Sequence, residues 1–257
     1  MPFVRHGGVR IHYEVEGDGA PLVLAHGLSM ELRSWRSLGY AAALRDSHRL
    51  VMIDARGHGE SDKPHREEEY ALATMAGDVL AVLADLGVER AHYWGYSMGG
   101  NIGFALMEQA PERFGAFIIG GASPYRKREE RRDIAPLFAA MRERGIAGFL
   151  EESERLMGRV PSRRRSVLEA SDPQALVAAY YQQLAEPGCA HILPGVENPC
   201  LLYAGEGDPR YVGAQAGAAL LPRGEFLSLP GLDHNTAHGR GDLIVPKVRD
   251  LLGRSRL

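Results

Sequence analysis

Cysteine is scarce in this chain: 257 residues hold only Cys189 and Cys200, too few for the disulfide framework of a small secreted fold. Long hydrophobic runs are missing too. No apolar stretch approaches the roughly eighteen residues of a membrane span, and Met1-Pro2-Phe3-Val4-Arg5-His6-Gly7-Gly8 lacks the apolar centre of a secretory leader. The expectation is a soluble, cytoplasmic protein with no membrane partner. An excess of charge is also absent: a net charge of −3 argues against nucleic acid as the main partner. Two local basic runs, Arg126-Lys127-Arg128 with Arg131-Arg132 and Arg163-Arg164-Arg165, are interleaved with or followed by acidic residues and read as solvated helix faces. Internal repeats and low-complexity segments are lacking. What remains, at 45% hydrophobic and 25% charged residues, is the composition of one large globular domain with room for a small insertion.

Strand-like and helix-like segments alternate, which predicts a mostly parallel sheet covered on both faces. Val9–Glu16 alternates and is turned by Gly17-Asp18-Gly19 into the apolar run Pro21–Ala25, a pattern expected of a hairpin feeding a buried strand. Leu32, Trp35, Leu38, Ala42 and Leu44 suggest a helix, and Arg49–Ile53 the next buried strand. Leu72, Met75, Val79, Leu83 and Leu86 fall at helical spacing, with Gly87 where a C-cap belongs. Further strands are expected at Arg90–Trp94, Phe117–Ile119, Cys200–Ala204 and Glu225–Leu229, and helices at Ala214–Leu221 and Leu243–Leu252. Between about Ser123 and Pro194 no strand pattern appears, and helical periodicity with proline breaks predicts a helical insertion. Its apolar members, among them Leu137, Phe138, Met141, Phe149, Leu150, Leu156 and Met157, either line a pocket or pack the insertion onto the core.

Chemistry enters at Gly95-Tyr96-Ser97-Met98-Gly99-Gly100, where a strand must turn sharply into a helix that Pro111 ends. Such a turn displays the serine hydroxyl and holds it in strained dihedrals, so residues two before and two after must lack a bulky Cβ, as Gly95 and Gly99 do. The backbone N–H of Met98, in the first turn of the helix, can face an oxyanion. A second donor is expected after the strand Pro21–Ala25, where Gly27 lets the chain turn and the N–H of Leu28 can face the site; His26 reads as a residue that holds this loop.

A serine hydroxyl needs a base to take its proton, and the base needs a third group to fix its tautomer. In the chain order serine, acid, histidine, both partners should follow later strands. Asp208 lies beyond Leu201-Leu202-Tyr203-Ala204-Gly205, and His234 beyond Phe226-Leu227-Ser228-Leu229. Glu206 competes with Asp208, though the following Pro209 favours Asp208; His238 competes with His234, which the Gly-x-x-His turn from Gly231 favours. Asp233 is expected to point away. His234 and His238 have the spacing of a zinc helix but lack the glutamate such a metalloprotease needs, and neither Gly57-His58-Gly59 nor Gly205-Glu206-Gly207 has the third glycine of a dinucleotide loop. No metal and no organic cofactor is expected.

With these residues in order, the chain resembles the α/β-hydrolase fold superfamily, of serine esterase and lactonase type, over nearly its whole length. The shared marks are His26-Gly27, Asp54-Ala55-Arg56-Gly57-His58-Gly59-Glu60-Ser61, the elbow, Gly205-Glu206-Gly207-Asp208 and Gly231-Leu232-Asp233-His234. The resemblance implies an eight-stranded, mostly parallel sheet with helices on both faces, a core of residues 1–122 and 195–257, and a helical cap over 123–194. It implies a triad of Ser97, Asp208 and His234, oxyanion donors at Leu28 and Met98, and a structural role for the Asp54–Ser61 loop. The expected function is cleavage of a small-molecule ester, lactone or thioester through an acyl-enzyme. Enol-lactone hydrolysis, perhydrolase or haloperoxidase-like chemistry, carbon–carbon bond hydrolysis and a non-catalytic ligand sensor remain alternatives. Substrate identity and assembly, including any homo-oligomer, lie beyond the sequence.

Overall fold

The computed structural model describes residues 2–125 and 134–257, so the first basic run lies outside the described residues. Its centre is an eight-stranded sheet in the order β1-β2-β4-β3-β5-β6-β7-β8. The strands are β1 (Phe3–His6), β2 (Val9–Glu16), β3 (Ala20–Ala25), β4 (His48–Ile53), β5 (Ala91–Tyr96), β6 (Phe114–Gly120), β7 (Cys200–Gly205) and β8 (Gly224–Leu229). From β4 to β8 all pairings are parallel, whereas β2 is antiparallel to both β1 and β4.

The apolar runs are continuous because the inner strands are covered twice. Successive side chains point to opposite faces: Val23, Val51, Tyr93, Phe117, Ile119 and Leu202 enter one core, and Leu24, Met52, Trp94, Ile118 and Tyr203 the other. The first core is closed by α3 (Leu72–Asp85), α4 (Met98–Gln109) and α8 (Tyr211–Leu220). The second is closed by α1 (Arg33–Ser37), α2 (Tyr40–Leu44) and α10 (Gly241–Gly253). Helix α3 ends as its glycine predicts: Gly87, at φ 63°, follows the last turn, with Gly87 N–H on Ala84 O at 3.1 Å and Val88 N–H on Leu83 O at 2.8 Å.

The expected hairpin between Val9–Glu16 and Pro21–Ala25 does not form, because β4 lies between β2 and β3. The glycines there serve a close crossing: a Cβ on Gly17 would stand 2.3 Å from the carbonyl oxygens of Arg45 and His48, and one on Gly19 2.0 Å from that of Ser47. The true hairpin joins β1 to β2 through Gly7 and Gly8, both at positive φ (57° and 83°), as a two-residue turn between twisted strands requires. The single helix expected across Leu32–Leu44 is two, α1 and α2, separated where Gly39 adopts φ 83°.

Between β6 and β7 the described residues form α5 (Ala135–Met157), bent at Gly145, α6 (Ser162–Glu169), α7 (Pro173–Ala185) and a 3-10 segment at Ala190–Gly195. Leu137, Phe138, Met141, Phe149, Leu150, Leu176 and Tyr180 form their common core, with Phe138 stacked on Tyr180 at 4.1 Å between ring centroids. Helix α7 is tied to the sheet domain at both ends. Its N-cap Asp172 meets His65 at 2.9 Å, and Glu186 accepts the N–H of Leu72 at 2.9 Å. Leu156 and Met157 are exposed. No helix among the described residues is long and apolar enough to cross a membrane.

Candidate active site

Ser97 links β5 to α4 in a conformation L-residues rarely adopt, φ 55° and ψ −109°. The turn is over-determined. Ser97 N–H donates to Gly120 O at 2.7 Å and Gly99 N–H to His26 O at 3.1 Å, while a Cβ on Gly95 would fall 2.2 Å from Gly99 O and one on Gly99 2.1 Å from Ala25 O. Strain of this kind persists only where neighbours hold it.

The three residues expected to meet do meet. Asp208 follows β7; His234 opens α9 (His234–His238) after β8. His234 Nε2 lies 3.0 Å from Ser97 Oγ and His234 Nδ1 lies 2.6 Å from Asp208 Oδ2. With a carboxylate on one side, Nδ1 carries the proton and Nε2 accepts from the hydroxyl. Burial pushes Asp208 up, but the hydrogen bond and charge of His234, with Arg210 behind them, outweigh it and bring the carboxyl down to about 2. Tyr96 fixes the histidine further, its hydroxyl donating to His234 O. Glu206, by contrast, accepts from Ser228 Oγ at 3.2 Å on the exposed side.

His238 is buried, lines the cavity above Ser97 and stacks on Tyr96 at 4.0 Å between centroids, yet neither ring nitrogen has a hydrogen-bond partner among the described residues. Burial, with the charges of His234 and His26 as lesser causes, lowers it to about 3. Asp233 is exposed and turns its side chain onto α9, accepting from Asn235 N–H at 2.9 Å and Thr236 N–H at 2.7 Å.

The loop after β3 approaches the serine closely, a Cβ on Gly27 standing 3.4 Å from Ser97 Cβ. Met30 N–H closes the turn onto Gly27 O at 3.2 Å with Ser29 at φ 60°, leaving the N–H of Leu28 outside that bond. Neither Leu28 N–H nor Met98 N–H has a hydrogen-bond partner among the described residues. His26 holds the loop, Nδ1 donating to Gly27 O at 2.8 Å while Nε2 accepts from Ala55 N–H at 3.1 Å. His58 Nε2 accepts from Ser29 N–H at 3.2 Å. The Asp54–Ser61 loop therefore supports the site from below. Asp54 accepts from Leu32 N–H at 2.8 Å and Glu60 N–H at 3.1 Å, and Arg56 grips Asp78 through Nε at 2.7 Å and Nη2 at 2.6 Å.

Above Ser97 opens a cavity of about 730 Å³. Leu137, Phe138, Phe149 and Tyr180 form its apolar wall, the buried pair Asn101–Gln183 (3.2 Å) gives a polar one, and Arg159 and Arg164 reach it from the α5–α6 connection and α6. The reading of Arg163-Arg164-Arg165 as a wholly solvated face fails at its middle member. Arg164 is half-buried and lines the cavity, since a helix turns each residue by about 100° from the last, whereas Arg163 is exposed and Arg165 pairs with Glu154 at 2.6 Å. Sequence reasoning also missed Arg210, whose only signal was its place two residues after Asp208.

A mostly parallel sheet with a strained strand–helix serine, a later acid and a last histidine at its carboxyl edge defines the class of α/β hydrolases. The family model described as alpha/beta hydrolase fold matches residues 20–156, and the chain belongs to that family. It is similar to mouse (Mus musculus) epoxide hydrolase 4, 32% identical over 118 residues that make up 45% of this chain and 32% of that protein. Matches to the curated relatives span half of their length or less. Among solved structures, Est816, described as an N-acyl homoserine lactone degrading enzyme, is 25% identical with a TM-score of 0.79, covering 97% of this chain and 99% of its own. The enol-lactonase of Burkholderia xenovorans shares the fold at TM-score 0.84 and 23% identity, covering 98% of this chain and 100% of its own.

Proposed function

We infer that the protein hydrolyses carboxylic esters or lactones of a small molecule by acyl transfer to Ser97. The observation that carries this reading is the unbroken relay Ser97 Oγ, His234, Asp208, at 3.0 Å and 2.6 Å, on the floor of a cavity. His234 Nε2 takes the hydroxyl proton as Oγ attacks the carbonyl carbon, and the oxyanion that forms is held by the N–H groups of Leu28 and Met98. His234 then returns the proton to the leaving oxygen, and a water deprotonated by the same nitrogen releases the acid. Asp208 stays ionised throughout, which its lowered pKa supports. A hydroxyl at the elbow makes an acyl ester with substrate, which suits carbonyl substrates better than the ring opening of an epoxide. Residues 123–194 serve as the cap that shapes the substrate pocket and limits its access to water.

The test is Ser97→Ala assayed with 4-nitrophenyl acetate. Turnover should fall at least about 10⁴-fold with the thermal unfolding temperature preserved, and labelling of Ser97 by a fluorophosphonate should vanish. Full turnover by the variant overturns the assignment.

A further inference from the structure

Arg164 lines the cavity in a place that ester hydrolysis by itself does not require. Its Nη1 donates to Asn235 Oδ1 at 3.3 Å, and Asn235, which lines the same cavity, directly follows His234. No carboxylate of the described residues lies within ion-pair distance of it, although both helical neighbours of opposite fate are accounted for: Arg163 faces solvent and Arg165 is paired with Glu154 and Glu169. The acids nearby are committed elsewhere. Asp233 is spent on the cap of α9, and Asp208 on His234 and Arg210. Arg159 adds a second positive charge to the same wall, and burial lowers the pKa of Arg164 with no acid acting against it. A guanidinium partly withdrawn from water without a counter-charge carries a desolvation cost, and its planar fork matches a carboxylate with two parallel hydrogen bonds.

We propose that Arg164 is a recognition site for a carboxylate on the substrate, so that the enzyme acts on half-esters of dicarboxylic acids or on lactones that bear a free carboxylate. The anion sits on the histidine side of Ser97, the apolar part of the substrate against Phe138, Phe149 and Tyr180, and Arg159 raises the local concentration of anions at the entrance. This specificity rests on the acyl-transfer reading of Ser97, but the binding of the anion does not.

Two measurements keep the readings apart. In the first, kcat/KM is compared for the 4-nitrophenyl half-esters of succinate, glutarate and adipate and for neutral 4-nitrophenyl pentanoate. The best acidic ester should exceed the neutral one at least 10-fold, Arg164→Gln should reduce that ratio about 10- to 100-fold, the range for a lost hydrogen bond to a charged group, and Arg164→Lys should retain part of it. Arg163→Gln, on the exposed side of the same helix, should leave the ratio unchanged. In the second, glutarate binding to the Ser97→Ala protein is followed by calorimetry and should weaken at least 10-fold when Arg164→Gln is added. A ratio or a glutarate affinity that Arg164→Gln leaves unaltered overturns the proposal. If the wild-type protein cleaves none of the esters while glutarate binding depends on Arg164, the hydrolase reading has failed and the anion site stands.

Discussion

Arg210 and His234 divide one carboxylate between them. Arg210 Nη1 bonds Asp208 Oδ1 at 3.2 Å and its N–H the same oxygen at 3.0 Å, while His234 takes Oδ2 at 2.6 Å. Although burial pushes its carboxyl up, the hold of His234 and Arg210 outweighs this, and its folded pKa of about 2 lies below the 3.8 of the free side chain. The stabilisation this brings is complete above pH 3.8 and is lost as pH falls through about 2. Asp208→Asn should therefore lower kcat by about 10⁴-fold and cost about 2 kcal/mol at neutral pH. The stability gap to wild type should narrow below pH 4. Ester kinetics and urea unfolding across pH 7 to 3 check both parts.

Buried histidines set a second pH dependence of different origin. Burial lowers His58 to about 3, His92 to about 4 and His238 to about 3, so each stays neutral in the fold while the unfolded chain titrates near 6.5. As pH drops below 6.5 the unfolded state takes up these protons first, and stability falls by about 1.4 kcal/mol per pH unit for each histidine until its folded pKa is reached. His238→Phe keeps the stacking on Tyr96 and removes two buried nitrogens that have no hydrogen-bond partner. It should flatten the dependence and gain about 2 kcal/mol at pH 5 relative to its effect at pH 8. Unfolding temperatures measured from pH 8 to 5 that run parallel in the two proteins would contradict this.

The Arg56–Asp78 pair supports the site at a distance. Arg56 is 2% exposed, and its carboxylate partner is also buried. Removing the cation by Arg56→Ala leaves the buried Asp78 carboxylate with only His6, at 2.8 Å, as a side-chain partner and should cost about 3 kcal/mol. Because His58 Nδ1 donates to Arg56 O at 2.9 Å and its Nε2 holds the Ser29 turn, ester turnover should fall as well. Urea unfolding and kcat measured together test the coupling; a destabilised variant with unchanged kcat would separate the loop from the site.

Glycines with the same sequence signal differ in their physical demands. Gly99→Ala places its Cβ 2.1 Å from the backbone oxygen of Ala25, which cannot yield, and should destabilise by about 3 kcal/mol or more. Gly7→Ala meets nothing within 4 Å and suffers only its positive φ, about 1 to 2 kcal/mol. Equal losses in chemical denaturation would refute the distinction.

The same contrast explains what was legible in advance. Gly95 and Gly99 announced the elbow because no other residue tolerates that turn, and the buried strands announced themselves because two-sided burial writes a continuous apolar run. Gly17 and Gly19 misled because a close crossing and a tight turn use the same residue. Arg164 was hidden for a related reason: three consecutive arginines on a helix are alike in sequence, and only packing decides which of them leaves solvent.

By itself the sequence determined the alternation of strand and helix, the displayed serine and the order of its partners, since local periodicity, backbone sterics and residue chemistry suffice for these. Tertiary structure alone decided that β4 lies between β2 and β3, that Arg210 shares Asp208 with His234, and that Arg164 rather than Arg163 turns to the cavity. Each of these is a contact between residues whose positions depend on how distant elements pack, and no local pattern encodes that distance.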